Sequence, residues 1–167
     1  MGKHILKSFV PRLLTLLCVV ALIAGSASAK GLNDLIISYE IEGAGTGTQG
    51  TYLVKVTIVK KKATDVELPL KLAAVHGVLF RGFTGERQVQ KPLAGDAAAE
   101  AEHLEFYTDF FDETGSAKNY ATVISGSTTT AKVNKNYQIT ATLSVQKEAL
   151  RKYLEDQGVI KSLTSAF

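Results

Sequence analysis

Tyr137-Gln138-Ile139-Thr140-Ala141-Thr142-Leu143-Ser144-Val145, followed almost at once by Glu148-Ala149-Leu150-Arg151-Lys152-Tyr153-Leu154, is the stretch that decides the fold. In its first half an apolar side chain recurs at every second position, the period of a strand with one buried face. In its second half Ala149, Leu150, Tyr153 and Leu154 share one stripe at helical spacing, with Glu148 and Lys152 four apart opposite them. Gly158 is placed to stop that helix, and Val159-Ile160 to fold back over its last turn. A half-buried strand feeding an amphipathic helix predicts a sheet with helices laid on one face.

Working back toward the N-terminus, Asn134-Lys135-Asn136 reads as a turn, Thr128–Val133 as a weakly alternating strand, and Tyr120–Ser125 as another. Asp96 is a candidate N-cap for one helix from Ala97 to about Glu113, closed by Gly115. On that helix Ala97, Ala101, Leu104, Thr108 and Phe111 share a face, and the acids Glu102, Glu105, Asp109, Asp112 and Glu113 gather on another. Thr84–Gly95, with Pro92 and no period, reads as an exposed loop. Thr64 and Glu67 fit a capping box for a helix carrying Leu68, Leu72, Ala73 and Val75 and ending at Gly77, after which Val78-Leu79-Phe80 reads as a short buried strand. Leu35–Ile41 and Tyr52–Ile58 alternate as two strands joined by the glycine-rich Gly43–Gly50, a hairpin pattern. The whole predicts an α+β domain with one mixed or mostly antiparallel sheet of about four to six strands, helices packed on one face, and no internal repeat.

The first residues are of another kind. Lys3, His4, Lys7 and Arg12 precede an apolar run from Leu13 to Ala24 broken only by Thr15, and Ala27-Ser28-Ala29 closes the segment. A basic start, a short apolar middle and an A-x-A exit describe a secretory signal peptide over 1–29, cleaved between Ala29 and Lys30. As a helix the apolar run rises about 18 Å, short of the roughly 30 Å hydrocarbon core a membrane anchor must cross. The net charge of +3 belongs to this segment: it holds three of the 19 basic residues and no acid, so 30–167 carries equal numbers of each. A neutral body without Trp gives no electrostatic case for a nucleic-acid partner. The single cysteine, Cys18, lies inside the apolar run, with Leu17 before it where lipidation needs a small residue. Residues 30–167 therefore exclude disulfides, zinc–thiolate sites and cysteine nucleophiles.

Motifs with chemical meaning are few. Gly45-Thr46-Gly47-Thr48-Gln49-Gly50 matches G-x-G-x-x-G, but a strand follows it where a dinucleotide site needs a helix N-terminus, so it reads as a flexible hairpin loop. Glu100 and His103 have the E-x-x-H spacing of di-iron bundles, without the second motif or the additional glutamates. His76 and His103 are too few for a three-histidine metal site, and no serine lies in G-x-S-x-G. No catalytic residue, cofactor or metal is expected. Lys60-Lys61-Lys62 has two readings, a peripheral contact with acidic lipid or another polyanion, and a guard against stray edge pairing. Phe80-Arg81-Gly82-Phe83 places two aromatics around an arginine, as interface anchors often do. Phe106 and Phe110, four apart, mark either a second covered side of their helix or a docking surface. Phe80, Arg81, Phe83, Phe106 and Phe110 are thus the candidate partner contacts.

Taken in order, Leu72–Phe80, Tyr120–Ser125 and Tyr137–Val145 with Glu148–Leu154 resemble small envelope modules of the lipoprotein-20 and flagellar-T N-terminal type, related in shape to the curli secretion component G domain. The chain is also similar to secreted proteins of Bacteroides-type bacteria. The resemblance spans about residues 66–157, leaves the N-terminal hairpin aside, and implies an assembly or accessory role in the cell envelope without catalysis. The expectation is an exported, periplasmic or outer-membrane-associated protein that binds another envelope component, using the exposed face of its sheet or the Phe80–Phe83 region. Two alternatives stay open: a small-ligand-binding or hydrolytic periplasmic domain using His76 or His103, and a subunit of a homo-oligomeric surface structure.

Overall fold

The alternation of Tyr137–Val145 becomes the central strand of the molecule. The computed structural model describes residues 38–85 and 89–161, so the expected signal segment and its Ala29–Lys30 junction lie outside the described residues. The described residues belong to one compact unit. Its main sheet has five strands, β1 (Tyr39–Gly45), β2 (Tyr52–Lys60), β5 (Ala121–Val123), β6 (Thr129–Val133) and β7 (Asn136–Val145), and a small separate hairpin is made by β3 (Phe83–Thr84) and β4 (Val89–Gln90). Every pairing is antiparallel. The order is β1-β2-β7, and β5 and β6 lie end to end along the far edge of β7, pairing with its C-terminal and N-terminal halves. Among the described residues four α-helices complete the fold: α1 (Glu67–His76), α2 (Ala97–Glu102), α3 (Leu104–Phe110) and α4 (Lys147–Asp156). The architecture is α+β around a mostly antiparallel sheet.

Register explains which face is buried. Tyr39, Ile58 and Ile139 line up across three strands, as do Ile41, Val56 and Ala141 in the next inward row. Val54, Leu143 and Val123 follow, then Tyr52, Val145 and Ala121. Nearly all of these sit in or against the core. The residues between them face the other way: Glu42 beside Lys55, Thr57 beside Thr140, Leu53 beside Ser144. A slip of one residue would exchange the two sets, so the alternation of β7 fixes the register. The β6–β7 hairpin closes with two residues, Asn134 and Lys135, and Asn134 takes the positive φ of 57° that such a turn needs.

Against the inward face lies α1, and here the expected boundaries shift. No side chain caps its N-terminus: Val66 holds that position, so the Thr64–Glu67 capping box is not formed. Pro69 falls in the first turn, where its missing N–H has no partner to lose. Gly77 does not end the helix. Its φ is −60°, and the chain continues as a π-turn, Gly77–Arg81, in which the Gly82 N–H donates to Gly77 O at 2.9 Å. Val78-Leu79-Phe80 is therefore helical, not a strand. A short run apolar at every position carries no period, and burial on all sides suits either state. The true stop is Gly82, at φ +66°, where a Cβ would lie 2.2 Å from Gln90 O. Gly77 serves packing instead, since a Cβ there would come within 2.6 Å of Ile41 Cδ1.

Two other expectations change. Thr84–Gly95 is not all loop, because it contributes to the β3–β4 hairpin. The long helix after Asp96 breaks at His103 (φ −118°, ψ 36°) into α2 and α3. Asp96 does cap α2, its Oδ1 accepting from the N–H groups of Ala98 and Ala99. The break rotates the face that follows: Tyr107, Phe110 and Phe111 are buried, whereas Leu104, expected on the apolar stripe, is 56% exposed. Over α4 the reading holds. Leu150 and Leu154 are buried, Gly158 takes φ +71°, and Val159 N–H donates to Leu154 O as the chain folds back. The ion pair on α4 is Arg151–Glu155, at 2.8 Å, in place of the expected Glu148–Lys152.

Candidate functional site

His76 ends α1 at a junction of three elements. Its Nδ1 lies 2.7 Å from the Tyr39 hydroxyl of β1, and its Nε2 lies 3.1 Å from Glu100 Oε1 of α2. An ionised carboxylate can only accept, so Nε2 carries the proton, and Tyr39 O–H donates to Nδ1. Phe80 and Phe111 rings close over the imidazole, with centroids 5.1 and 5.5 Å away. The Arg81 guanidinium sits 4.2 Å above the Tyr39 ring and donates to Tyr39 O at 3.1 Å. Burial pushes the His76 pKa below its ordinary 6.5, against the opposing pull of Glu100, and holds the imidazole neutral near pH 7. Burial likewise raises the Tyr39 hydroxyl well above its usual range, and takes Tyr107 to about 12 with help from the Glu100 charge.

A Tyr–His–Glu chain has the parts of a proton relay, but its geometry is that of a clasp. Both imidazole nitrogens are engaged, the Tyr39 residue is 6% exposed, and its hydroxyl points at the ring that would have to activate it. What the chain does is tie β1, the end of α1 and α2 together at a point where each brings a polar group out of water. Glu100 turns to His76, and His103, its partner in the E-x-x-H pattern, forms the hinge between α2 and α3. No group of three or more potential metal ligands occurs among the described residues.

The glycine-rich segment lines a cleft of about 590 Å³ together with Tyr52, Phe83, Gln90, Lys147 and Glu148. Gly43 and Gly45 belong to β1 with a bulge between them, and Tyr52 opens β2, so the segment is a hairpin connection as its context indicates. Tyr52 is held from three sides. Its hydroxyl donates to Gln90 Oε1 at 3.1 Å, Phe83 stands edge-on at 5.2 Å, and Lys147 Nζ lies 4.8 Å from the ring centre.

The expected partner contacts are distributed by the fold. Phe80 (6% exposed) and Phe110 (3%) are core residues, which corrects their place on a docking surface. Phe106 is partly buried and stacks on Phe110 at 5.7 Å and 13°, and Tyr153 of α4 stacks on Phe110 at 5.7 Å. The Phe106–Phe110 pair therefore joins α3 to α4. Phe83 packs under Tyr52, and Arg81, though exposed, is committed to Tyr39. Sequence reasoning missed the Tyr39–His76–Glu100 clasp because its members are 37 and 24 residues apart and no local pattern links them.

What is left open is the outer face of the sheet. No described helix packs on it. Thr57 and Thr140 share a hydroxyl hydrogen bond at 2.9 Å, Lys55 pairs with Glu42 at 2.7 Å, and Thr142 and Ser144 continue the row along β7. No helix among the described residues is long and apolar enough to cross a membrane. Comparison of the chain with protein-family models, with curated proteins and with solved structures returned no match.

Proposed function

We propose that this chain is an exported, non-enzymatic envelope protein that binds another envelope component through the outer face of its main sheet. One observation carries the reading: packing on the sheet is one-sided among the described residues, which leaves a flat surface of Thr57, Thr140, Thr142 and Ser144 with the Glu42–Lys55 pair beside it. Hydroxyls held in register on a stiff sheet lose little freedom when a partner adds hydrogen bonds to them, so such a face suits binding better than chemistry. The commitment of both His76 nitrogens supports the same reading over a hydrolytic one. The signal-peptide pattern of 1–29 supports export.

Affinity capture of the tagged chain from extracts of its own envelope, after expression with its leader, tests this. The expected result is a defined component lost from the Thr57→Glu, Thr142→Glu double variant and retained by Arg81→Ala. Retention by the double variant, with native circular dichroism, removes the sheet face from the proposal. Loss of biological activity on His76→Gln in a protein of unchanged stability would favour the hydrolytic alternative.

A further inference from the structure

The fold collects lysines that the sequence keeps apart. Lys60 on β2, Tyr137 on β7 and Lys132 on β6 are paired side by side at one end of the sheet. Lys61 and Lys62 leave β2 at that end, and Lys135 occupies the β6–β7 turn. Lys60 is used locally, its ammonium donating to Thr64 O and Asp65 O. Lys61, Lys62, Lys132 and Lys135 are exposed, and none forms an ion pair among the described residues. Of the neighbouring acids, Asp65 is in the same loop, and Glu67 is bridged to Lys71 at 2.7 Å.

Guarding an edge does not account for this cluster. β2 lies between β1 and β7, so Lys61 and Lys62 follow an interior strand, and Lys135 is in a turn; Lys132 alone stands on an edge strand. One other feature belongs to the same end. Val59 and Val133, each 48% exposed, project from the outer face, the side of the sheet opposite Lys132: Val59 lies across β7 from Ala131 in the Gln138 row, and Val133 pairs with Asn136 one row nearer the turn.

We infer that this end of the sheet, Lys61, Lys62, Lys132 and Lys135 around Val59 and Val133, docks onto the surface of an anionic lipid bilayer. The charge complements acidic headgroups, and the aliphatic side chains supply what a soluble polyanion could not use, a small apolar set that gains from the headgroup–acyl boundary. The surface adjoins the Thr57–Thr142 face, since Val59 and Thr57 share the outer side of β2, but its lysines lie beyond the Thr57–Thr140 row toward the end of the sheet, and its docking does not rest on the partner proposed there. Each lysine near an anionic surface contributes about a fivefold gain in affinity.

The test is co-sedimentation of the protein, expressed as the full chain, with vesicles of phosphatidylcholine mixed with phosphatidylglycerol, and with vesicles of phosphatidylcholine alone. Binding to the mixed vesicles is expected, weakening as added salt shortens the screening length below about 10 Å. Lys132→Ser with Lys135→Ser should lower that binding about 25-fold, and Val133→Ser should lower it further. Lys61→Ser with Lys62→Ser, away from the hairpin, is the companion variant should the first pair disturb β6. Equal binding to both vesicle types, no binding to either, or unchanged binding in both lysine pairs with native circular dichroism overturns the inference. Equally tight binding of soluble polyphosphate, insensitive to Val133→Ser, overturns it in favour of a soluble polyanion.

Discussion

Between Pro69 and Phe80 almost every side chain is buried, while in β6 none is. The two segments are both apolar or β-branched enough to pass as core in a sequence scan, and they differ in what surrounds them. The α1–π-turn segment has the sheet on one side and α2, α3 and the Phe111 ring near its end, so even its glycine is used for close approach. Among the described residues β6 has a neighbour on one edge alone, β7, and its side chains are exposed. Stability therefore belongs to the first and exposed chemistry to the second. Substitutions separate them.

The largest effect is expected in the buried segment. Leu79→Ala removes a side chain with no solvent exposure and should cost about 2–5 kcal/mol, because the wall formed by sheet and helices can collapse only in part. Urea unfolding would show this as a lower midpoint at unchanged slope, and a cost below about 1 kcal/mol would mean the π-turn repacks. Next comes the clasp at the end of the same segment. His76 faces Tyr39 from β1, Arg81 from the π-turn and Glu100 from α2, and burial lowers its pKa. The unfolded chain thus takes up the proton first as acid is added. Stability should be full above 6.5 and fall as the pH drops through the ordinary histidine value toward the lower folded one, and His76→Gln should flatten that slope between wild type and variant. Thermal melts across that window check it, and a stability that rises on acidification would show Glu100 to dominate. The smallest effect is expected in β6, where Thr130→Ser, on an exposed strand residue, should stay within about 0.5 kcal/mol. A larger loss would give the hairpin a structural role.

Much of the fold was legible because it rests on period. β7 and α4 carry their alternation and their apolar stripe in consecutive residues, and both occur with nearly the expected bounds. Asp96 was legible as a cap because capping is a contact across three residues. The Gly77 stop failed for a local reason: glycine ends a helix when it turns left-handed, and that depends on what packs beside it. Phe106 and Phe110 were ambiguous in the same way, since four-residue spacing puts two rings on one face without saying whether a second helix covers them. Tyr153 does.

Of the candidate sites, the open sheet face was expected from helices packing on one side, whereas the clasp and the lysine end were not written in any motif. Lys60-Lys61-Lys62 and Lys132…Lys135 lie some 70 residues apart, and the β2–β7–β6 register brings them to one end. By itself the sequence determined the strand and helix periods, the charge balance of 30–167 and its lack of cysteine, because these are properties of adjacent residues or of simple composition. Tertiary structure decided which face stayed open, which histidine was buried neutral and where the lysines met, because burial and proximity arise from packing between segments distant along the chain.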